Sequence, residues 1–596
     1  MRKPLSRIAL LLVMTLLIGI AAGCDNATPT ANPTTAKPTT AGTTTAGTTT
    51  ANAEFPNFNP PGQLPVVKEK ETLRLVVTQS PHILSYKYGE NKLTTWLQDR
   101  TNVEIEFILF PEADVAAKIN IELSTGGDLG DAVRMTSALS KPALMTFGSQ
   151  GAIMELSDLL DTYSYNIKSD LDKKTGSWEA NTAPDGGIYA LPTGPAAWLV
   201  TNAYAMRHWI HKDFLAKYEA ATGKGMPTTT DEYFDYMVWC RDNDPNGNGE
   251  KDEIGWSGSE LRTVWYARPT DFLMHAFTWN TSNGFYQRAD KIHANFVEDE
   301  YREGLKYLNK MMDEGLMDEN YPSNDENQLK TLVAQNDGYT VASGSWGGMH
   351  NAATDHRIRN LYQIVAPLKG PDGFQNAFYN YNDYIAKPGP VIIPANSEKP
   401  ELAMAWFDSC YDVEVSFRQR YGEKGVDWDV PDPSERAVDG GPGIYKDYRD
   451  QWNVPTYSHW FTSGPSLARP YFMATPQPEK DAAGNEIHDL EKSLYDATAL
   501  YEKYVTPCPV PDFYFEEAKA VKANEYSQLI TDQSRAAITE FIFGIRDIND
   551  DKAWSDYKAE MEAAGLTEYL KMMQEEYDRS WIGTMPQTYT PFPPRT

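Results

Sequence analysis

The sequence predicts an α/β fold, and three observations support this class. Two strand-like segments, ETLRLVV and NVEIEFILF, lie on either side of a segment near 92–100 that reads as a helix. In the second segment, Val103, Ile105 and Phe107 fall on one face at the two-residue period of a strand. A further helix is expected near 113–123. Strands that alternate with helices in this way predict a βαβ sheet.

A Gly-rich turn from Gly126 to Gly130 follows the second helix. It lacks the G-x-G-x-x-G spacing of dinucleotide-binding proteins. Ligands of βαβ sheets bind outside the carboxyl ends of the strands. We therefore expect this turn to lie at such an end.

Later segments are mostly helical, and 596 residues are enough for two or more domains. The segment 399–422 has Pro400 near its start and Gly422 after its end, as a helix would. The segment 550–579 has apolar residues at helical spacing and breaks at Gly565. Internal repeats are absent from the sequence.

The N-terminus reads as an export signal over residues 1–23. Arg2, Lys3 and Arg7 precede an apolar run that is too short to span a bilayer. The run ends in IAAGC, which resembles a lipobox, so Cys24 is predicted to carry the lipid. The alternative is ordinary cleavage that releases a soluble protein. Residues 24–65 are rich in Thr, Ala and Pro and predict a disordered tether behind the lipid anchor.

Charge and cysteine content restrict the function further. A formal net charge of −29 argues against binding to nucleic acid. Cys240, Cys410 and Cys508 lack the spacing of metal ligands and are too few for a disulfide framework. They are expected to be buried or unpaired thiols, with one bridge as the alternative.

The stretch DNDPNGNGEKDE, residues 242–253, is rich in oxygen ligands and predicts a calcium site. Two frames fit it. The first is a full EF-hand pattern on Asp242, Asp244, Asn246, Gly247 and Glu253. The second, which we prefer because it needs no exiting helix, is a shorter loop with Gly249 at the turn. A solvated acidic turn is the plain alternative. Such a site would stabilise the loop without performing chemistry.

Several segments in this order resemble the long-chain members of extracellular solute-binding protein family 1. They are DGGIYALPTG, MPTTTDEYFDYMVWCRDNDPNGNGEKDEI, VAPLKGPDG, KPELAMAWFDSCYD, YGEKGVDW and the terminal FIFGIRDINDDKAWSDYKAEMEAAGLTEYL. Members are lipoproteins that deliver oligosaccharides to ABC importers of Gram-positive bacteria. The resemblance covers nearly all of the chain after the tether.

The resemblance implies a two-lobed, periplasmic-binding-protein-like (type II) fold with a hinge and a ligand cleft between the lobes. Residues 66–195 and 365–430 would form lobe 1. Residues 196–364 and 431–596 would form lobe 2, mostly helical and carrying the calcium loop. The implied calcium ligands are Asp244, Asn246, Asn248, Glu250, Asp252 and Glu253. Glu250-Lys251 replaces the family's Lys-Lys, which is harmless if residue 250 offers only its carbonyl. The segment WIHKDFL is a second departure from the family pattern, and we assign none of its residues to ligand binding.

A sugar site needs aromatic planes for stacking and polar groups for hydroxyls, and the chain has 15 Trp and 34 Tyr. Trp346 is preferred because its small neighbours in SGSWGG would let a ligand approach the ring. For every candidate ring, packing in the core is the alternative. The other aromatic candidates are Trp198, Trp265, Tyr266, Trp279, Tyr381 and Trp460. The polar candidates are Asp128, Asn202, Arg268 and His459.

The predicted function is capture of an oligosaccharide by hinge closure and its delivery to an ABC transporter permease. The protein would be a monomer, lipid-anchored on the extracellular face of the membrane, and not an enzyme. The alternative is a lipid-anchored glycoside hydrolase, which would need two carboxylates facing across the cleft. Neither a G-x-S-x-G nor an H-E-x-x-H motif occurs. A repetitive surface scaffold is disfavoured because no repeat is present.

Overall fold

The computed structural model describes residues 57–581. Gaps in this description fall at residue 81 and at 112–114, 136–138, 173–176, 194–203, 262–263, 380–386, 449–454, 461–463 and 467–473. The predicted signal, Cys24 and most of the predicted tether therefore lie outside the described residues.

The strands, in chain order, are β1 (Glu71–Gln79), β2 (Val103–Pro111), β3 (Ala132–Arg134), β4 (Pro192–Thr193), β5 (His208–His211), β6 (Phe285–Arg288), β7 (Lys291–Ala294), β8 (Ser343–Ser345), β9 (Tyr362–Val365), β10 (Lys387–Pro388), β11 (Val391–Ile392), β12 (Trp428–Asp429) and β13 (Lys446–Asp447). The helices are α1 (Lys92–Thr101), α2 (Val115–Thr125), α3 (Lys141–Ser149), α4 (Ser157–Tyr163), α5 (Asn166–Leu171), α6 (Ser177–Asn181), α7 (Lys212–Thr222), α8 (Thr230–Asn243), α9 (Pro269–Phe272), α10 (Asp299–Asp313), α11 (Glu326–Val333), α12 (His356–Arg359), α13 (Pro400–Ser409), α14 (Val413–Tyr421), α15 (Leu490–Tyr501), α16 (Glu517–Ile542), α17 (Asp551–Ala563) and α18 (Leu566–Ser580).

The first lobe is built on a four-stranded sheet with the order β11-β3-β1-β2. β1 runs parallel to β2 and β3, with Leu75 opposite Phe107 on one side and Ala132 on the other. The side chain of Asn91 caps α1 by accepting a hydrogen bond from the Thr94 N–H. The alternation of strand and helix predicted for this region is confirmed.

The second lobe contains a smaller antiparallel sheet in the order β8-β5-β9. His208 in β5 lies opposite Ser345 in β8 and Val365 in β9. The four residues of β5 are all buried. Helices surround this sheet, so the sheet is the interior of a mostly helical lobe.

Two short strands join the lobes. β4 leads out of the first lobe and β10 leads back into it, and the two pair antiparallel through Thr193 with Lys387 and Pro192 with Pro388. Each strand has two residues, so the connection is narrow. We expect the hinge of the predicted two-lobed fold here. The exact lobe boundaries stay a prediction.

The position of the Gly-rich turn differs from the expectation. Residues 126–130 follow α2 and lead into β3, which is parallel to β1. A turn that precedes a parallel strand lies at its amino end, so the prediction of a carboxyl-end position was wrong. Gly130 has φ +66°, and a Cβ there would lie 2.7 Å from the Arg74 carbonyl oxygen. The glycine therefore permits close backbone approach rather than ligand binding.

The predicted helix over 399–422 is two helices. α13 ends at Ser409, and Asp412 begins α14 by accepting a hydrogen bond from the Glu414 N–H at 2.7 Å. The break at Gly565, which has φ +94°, is confirmed between α17 and α18. The three described cysteines are free thiols. Within the described part of the chain, no helix is both long and apolar enough to cross a membrane.

Candidate functional site

The acidic loop starts where α8 ends, at Asp244, which turns the chain with φ 48°. The carboxylate of Asp244 accepts hydrogen bonds from the N–H groups of Gly247, Asn248 and Gly249 at 2.8, 3.1 and 2.9 Å. Gly249 has φ +90°, a conformation that favours glycine. The loop is thus wrapped around the Asp244 carboxylate.

The two asparagines continue the same wrapping. Oδ1 of Asn246 accepts from the Asn248 N–H at 2.8 Å, and Oδ1 of Asn248 accepts from the Glu250 N–H at 2.7 Å. Both side-chain amides donate to Asp252. These turns aim oxygen-bearing side chains at one small volume.

Glu253 closes the loop and leaves one oxygen unsatisfied. The residue is 5% exposed. Its Oε1 accepts from the Asn246 N–H at 3.0 Å, whereas Oε2 is buried and has no hydrogen-bond donor among the described residues. Burial raises the pKa of Glu253, and the charges of Asp252 and Asp244 raise it further. A buried carboxylate oxygen without a donor is costly unless a cation is bound.

The donor set fits calcium in the second frame. Asp244, Asp252 and Glu253 supply carboxylates, and the asparagines supply amide oxygens, which are the hard ligands that calcium prefers. Asp242, which only the first frame uses, forms an ion pair with Arg241 at 2.9 Å instead. Among the described residues, no three His, Cys, Asp or Glu side chains are placed around one metal position. The set therefore depends on the amide and backbone oxygens as well.

The loop is fastened to the second sheet. The Asn246 amide donates to the Tyr339 carbonyl at 3.1 Å, and the Asn336 amide donates to Asp252 at 3.2 Å. The chain then leaves the loop through Ile254, which bridges Val341 just before β8. A cation here would brace α8 against this segment.

Trp346 and Trp460 are both fully buried. The Trp346 ring packs edge-on to Tyr362 at 5.4 Å. Trp460 donates its indole N–H to Thr94 at 2.8 Å and packs edge-on to Phe107. Trp346 packs in the core beside the second sheet and Trp460 in the core beside the first sheet, and neither ring offers an open face in this structure. Their roles in stacking on a sugar stay predictions.

The small residues around Trp346 accommodate protein rings. A Cβ on Gly344 would lie 2.2 Å from the Trp346 ring itself, and a Cβ on Gly347 would lie 2.3 Å from the ring of Trp265. The Gly347 N–H also donates to the Trp265 carbonyl at 2.8 Å. The glycines of SGSWGG thus let two indoles approach the backbone, which is a different use from the one expected.

Trp265 and Tyr266 are half-buried and adjacent, with ring centroids 5.6 Å apart. Tyr266 has φ 50°, unusual for a tyrosine, and backbone strain of this kind concentrates at functional sites. Its ring lies 5.7 Å from that of Phe378. Trp279, also half-buried, carries the Arg288 guanidinium over its face at 4.9 Å. These rings retain exposed surface.

The polar candidates have partners within the protein. Asp128 forms an ion pair with Arg74 at 2.6 Å on the exposed edge of the first sheet, and this contact lowers the pKa of the Asp128 carboxyl. Arg268 binds Asp271 at 2.6 Å. His459 is buried, and burial lowers its pKa to about 4. Trp198, Asn202 and Tyr381 lie outside the described residues.

A cavity of about 420 Å³ lies between the lobes and is the largest of three described here. Leu139 to Pro142 line it from the first lobe, and Lys387 and Pro388 from the hinge. The second lobe contributes Asn283, Phe285, Val510 to Phe513, Phe515, Asn524, Ser527, Thr531, Tyr569 and Met573. Sequence reasoning missed these residues. They come from segments far apart in the chain, so no local pattern marks them.

Lys141 lines this cavity on the side of the first lobe. Its ammonium donates to the Asp512 carbonyl at 3.0 Å and lies 4.7 Å from the centre of the Tyr514 ring. Burial lowers the pKa of Lys141 to about 8. Lys141 thus makes a polar contact with the segment 512–514 at the wall of the cavity.

Comparison with known proteins gives the same class. The chain is 26% identical over 552 residues to the fructooligosaccharide ABC transporter substrate-binding protein FusA of Streptococcus pneumoniae, covering 88% of this chain and 94% of that protein. It is 23% identical over 344 residues to the polygalacturonan/rhamnogalacturonan-binding protein YtcQ of Bacillus subtilis, covering 55% and 62%. The solved structure of S. pneumoniae FusA with kestose superposes with a TM-score of 0.70 at 23% identity, covering 86% of this chain and all of that one. No family model matches the chain.

The fold is that of a two-lobed α/β solute-binding protein of the type II periplasmic-binding class, as predicted. The similarity to a substrate-binding protein, over 88% of this chain, agrees with that class. These relatives agree with the resemblance to extracellular solute-binding protein family 1 that the sequence motifs carry.

Proposed function

We propose that this chain captures an oligosaccharide by hinge closure and presents it to the permease of an ABC transporter. The observation that carries the proposal is the match across nearly the whole length of a fructooligosaccharide-binding transporter protein. A second relative is named for binding pectic polysaccharides. Both names specify carbohydrate and neither specifies turnover, which favours binding over the hydrolase alternative.

The architecture supplies a means of capture. The lobes are joined by the two-residue strands β4 and β10 and enclose a cavity whose walls come from both of them. A ligand that contacts both lobes stabilises the closed form by its differential affinity for that form. No bond needs to be made or broken.

The cavity has the chemical character that carbohydrate requires. Aromatic rings of Phe285, Phe515 and Tyr569 can cover the C–H faces of a sugar, while Asn524 and Ser527 can bond its hydroxyls. Its volume falls in the range of small-ligand sites. Trp265 and Tyr266 are the sequence-predicted rings that best retain access. They are not among the residues that line this cavity, and we propose that they extend the ligand cleft beyond it.

Calcium and lipid belong to the proposal as supporting parts. Calcium would be held by Asp244, Asn246, Asn248, Asp252 and Glu253 with the carbonyl of residue 250, and it would brace lobe 2. A lipid on Cys24 would anchor the chain to the extracellular face of the membrane through the tether. The chain would act as a monomer with sugar and permease as partners, without nucleic acid.

The test uses the mature chain carrying Cys24→Ser, to keep it soluble. Its melting temperature and sugar binding by calorimetry are measured against fructo-oligosaccharides and pectic fragments, and each mixture is analysed for shorter products. Stabilisation with saturable binding and no product supports the proposal. Release of shorter sugars, or no binding across the panel, would overturn it.

A further inference from the structure

A small polar cavity inside the second lobe contains an acid that nothing in the protein satisfies. Glu260 is 9% exposed. Its backbone N–H donates to the Tyr321 carbonyl, but its carboxylate accepts no hydrogen bond and forms no ion pair with any described residue. The side chain lines a cavity of about 60 Å³. Burial raises the pKa of Glu260 to about 7, opposed by the charges of Arg268 and Arg535.

Other groups in the same cavity are also unsatisfied. Arg535, which α16 supplies, has a guanidinium that forms no ion pair or hydrogen bond with the described residues. Oδ1 of Asn295 is buried without a donor, although its amide nitrogen donates to Trp279 and Asn280. An acceptor acid, an acceptor amide and a donor guanidinium therefore face one space.

The charges in the cavity select the kind of ligand. Two guanidinium groups, on Arg268 and Arg535, disfavour a free cation, and two carboxylates, on Glu260 and Asp271, disfavour an anion. A neutral ligand whose groups both donate and accept hydrogen bonds satisfies all of them. Hydroxyl groups have this property.

The volumes of this cavity and of the neighbouring interlobe cavity indicate that such a ligand would occupy both. About 60 Å³ holds roughly four waters, because one water needs on the order of 10–15 Å³. The recess is thus too small for a sugar ring but large enough for its hydroxyls. It adjoins the 420 Å³ cavity, with which it shares Asn283, Phe285 and Thr531. The ring would lie in the larger cavity against Phe285.

We propose that Glu260, Arg535 and Asn295 form a subsite that binds the hydroxyl groups of one sugar residue, seated where the recess meets the interlobe cavity. This deepens the proposed function and rests on it, because the ligand is taken to be a carbohydrate. Because this subsite would lie at the junction with the interlobe cavity, sugar binding there would stabilise the contact between the lobes.

The test measures oligosaccharide affinity by calorimetry for wild type, Glu260→Gln and Arg535→Met. Both variants are expected to bind at least tenfold more weakly, because each removes a charged partner of the hydroxyls. Glu576→Gln is the matched control: Glu576 is a buried glutamate on α18, paired with Arg579. It should change affinity less than twofold. Melting temperatures establish that every variant is folded.

The outcomes separate the two proposals. If wild type binds sugar and both variants bind equally well, the subsite is refuted while sugar capture stands. If wild type binds no sugar in the panel, both proposals fall. Should Glu260→Gln fail to fold, Arg535→Met alone decides, since its half-buried side chain makes no internal bond that folding needs.

Discussion

Replacing Glu253 by Gln is expected to give a protein that is more stable than wild type without calcium and less stable than wild type with calcium. The Oε2 atom of Glu253 is buried without a donor, and the carboxylate lies near those of Asp244 and Asp252. Glutamine keeps the shape of the side chain and an oxygen for the Asn246 N–H. Its amide nitrogen replaces a repelled oxygen with a hydrogen-bond donor. Without calcium, the variant should therefore be more stable than wild type.

The magnitudes decide the order of stabilities. An unsatisfied buried oxygen costs about 1–3 kcal/mol, so Glu253→Gln should be more stable than wild type by up to that amount in a chelator. Calcium at a thousandfold excess over its dissociation constant adds about 4.1 kcal/mol to wild type. Calcium should stabilise the variant little, because the variant lacks a bidentate carboxylate at position 253. Wild type therefore becomes the more stable protein once calcium is present.

The assay is thermal unfolding at fixed neutral pH, with chelator and then with saturating calcium. Asp242→Asn is the control, because Asp242 is exposed, pairs with Arg241 and belongs only to the first ligand frame. It should respond to calcium as wild type does. Wild type that is not stabilised by calcium would refute the metal site. Loss of the response in Asp242→Asn would refute the choice of frame.

Trp346→Ala should lower stability by about 3–5 kcal/mol, measured as a reduced melting temperature, because the ring is fully buried. Trp265→Ala should weaken sugar binding at least tenfold in calorimetry and leave the melting temperature nearly unchanged; equal affinity would contradict its place in the cleft. Asp128→Ala should alter stability by less than about 1 kcal/mol and sugar affinity not at all, since its ion pair with Arg74 is exposed. The pKa of Glu260 is raised from 4.5 to about 7, so its contribution is full below pH 4.5 and is lost as the pH rises through 7. Across this pH window, the free energy of unfolding of wild type should therefore fall by about 3 kcal/mol relative to that of Glu260→Gln. If the free energies of the two proteins change with pH in the same way, the raised pKa of Glu260 is contradicted.

The secondary structure of the first lobe could be predicted from the sequence because it depends on local sequence patterns. β1 and β2 are nine residues each with clear apolar faces, and α1 begins at an asparagine cap. The sheet of the second lobe was not readable. β8 is the tripeptide SGS, whose residues have low strand propensity, and it is a strand because β5 pairs with it. Tertiary context overrides local preference there.

The predicted calcium site and the cavity also differ in how far local sequence determines them. Calcium ligands occupy one short segment, so the spacing of Asp, Asn and Gly predicts them directly. The cavity walls come from residues as distant as Lys141 and Tyr569. Gly347 admits the ring of Trp265 in this structure, and the stacking roles of the tryptophans in Gly-rich contexts stay predictions. The family resemblance indicated a carbohydrate ligand, but only the fold brings the residues of the cavity together.

The metal loop and the aromatic cleft are connected through one strand ladder. From Glu253 the chain runs through Ile254, which bridges Val341, and Ser257, which bridges Gly344 in β8. β8 ends at Ser345, and two residues later Gly347 supports the Trp265 ring. A cation that fixes the start of this ladder therefore also fixes the backbone under Trp265. Calcium in the predicted loop would therefore influence the position of the Trp265 ring, which we propose contacts the sugar.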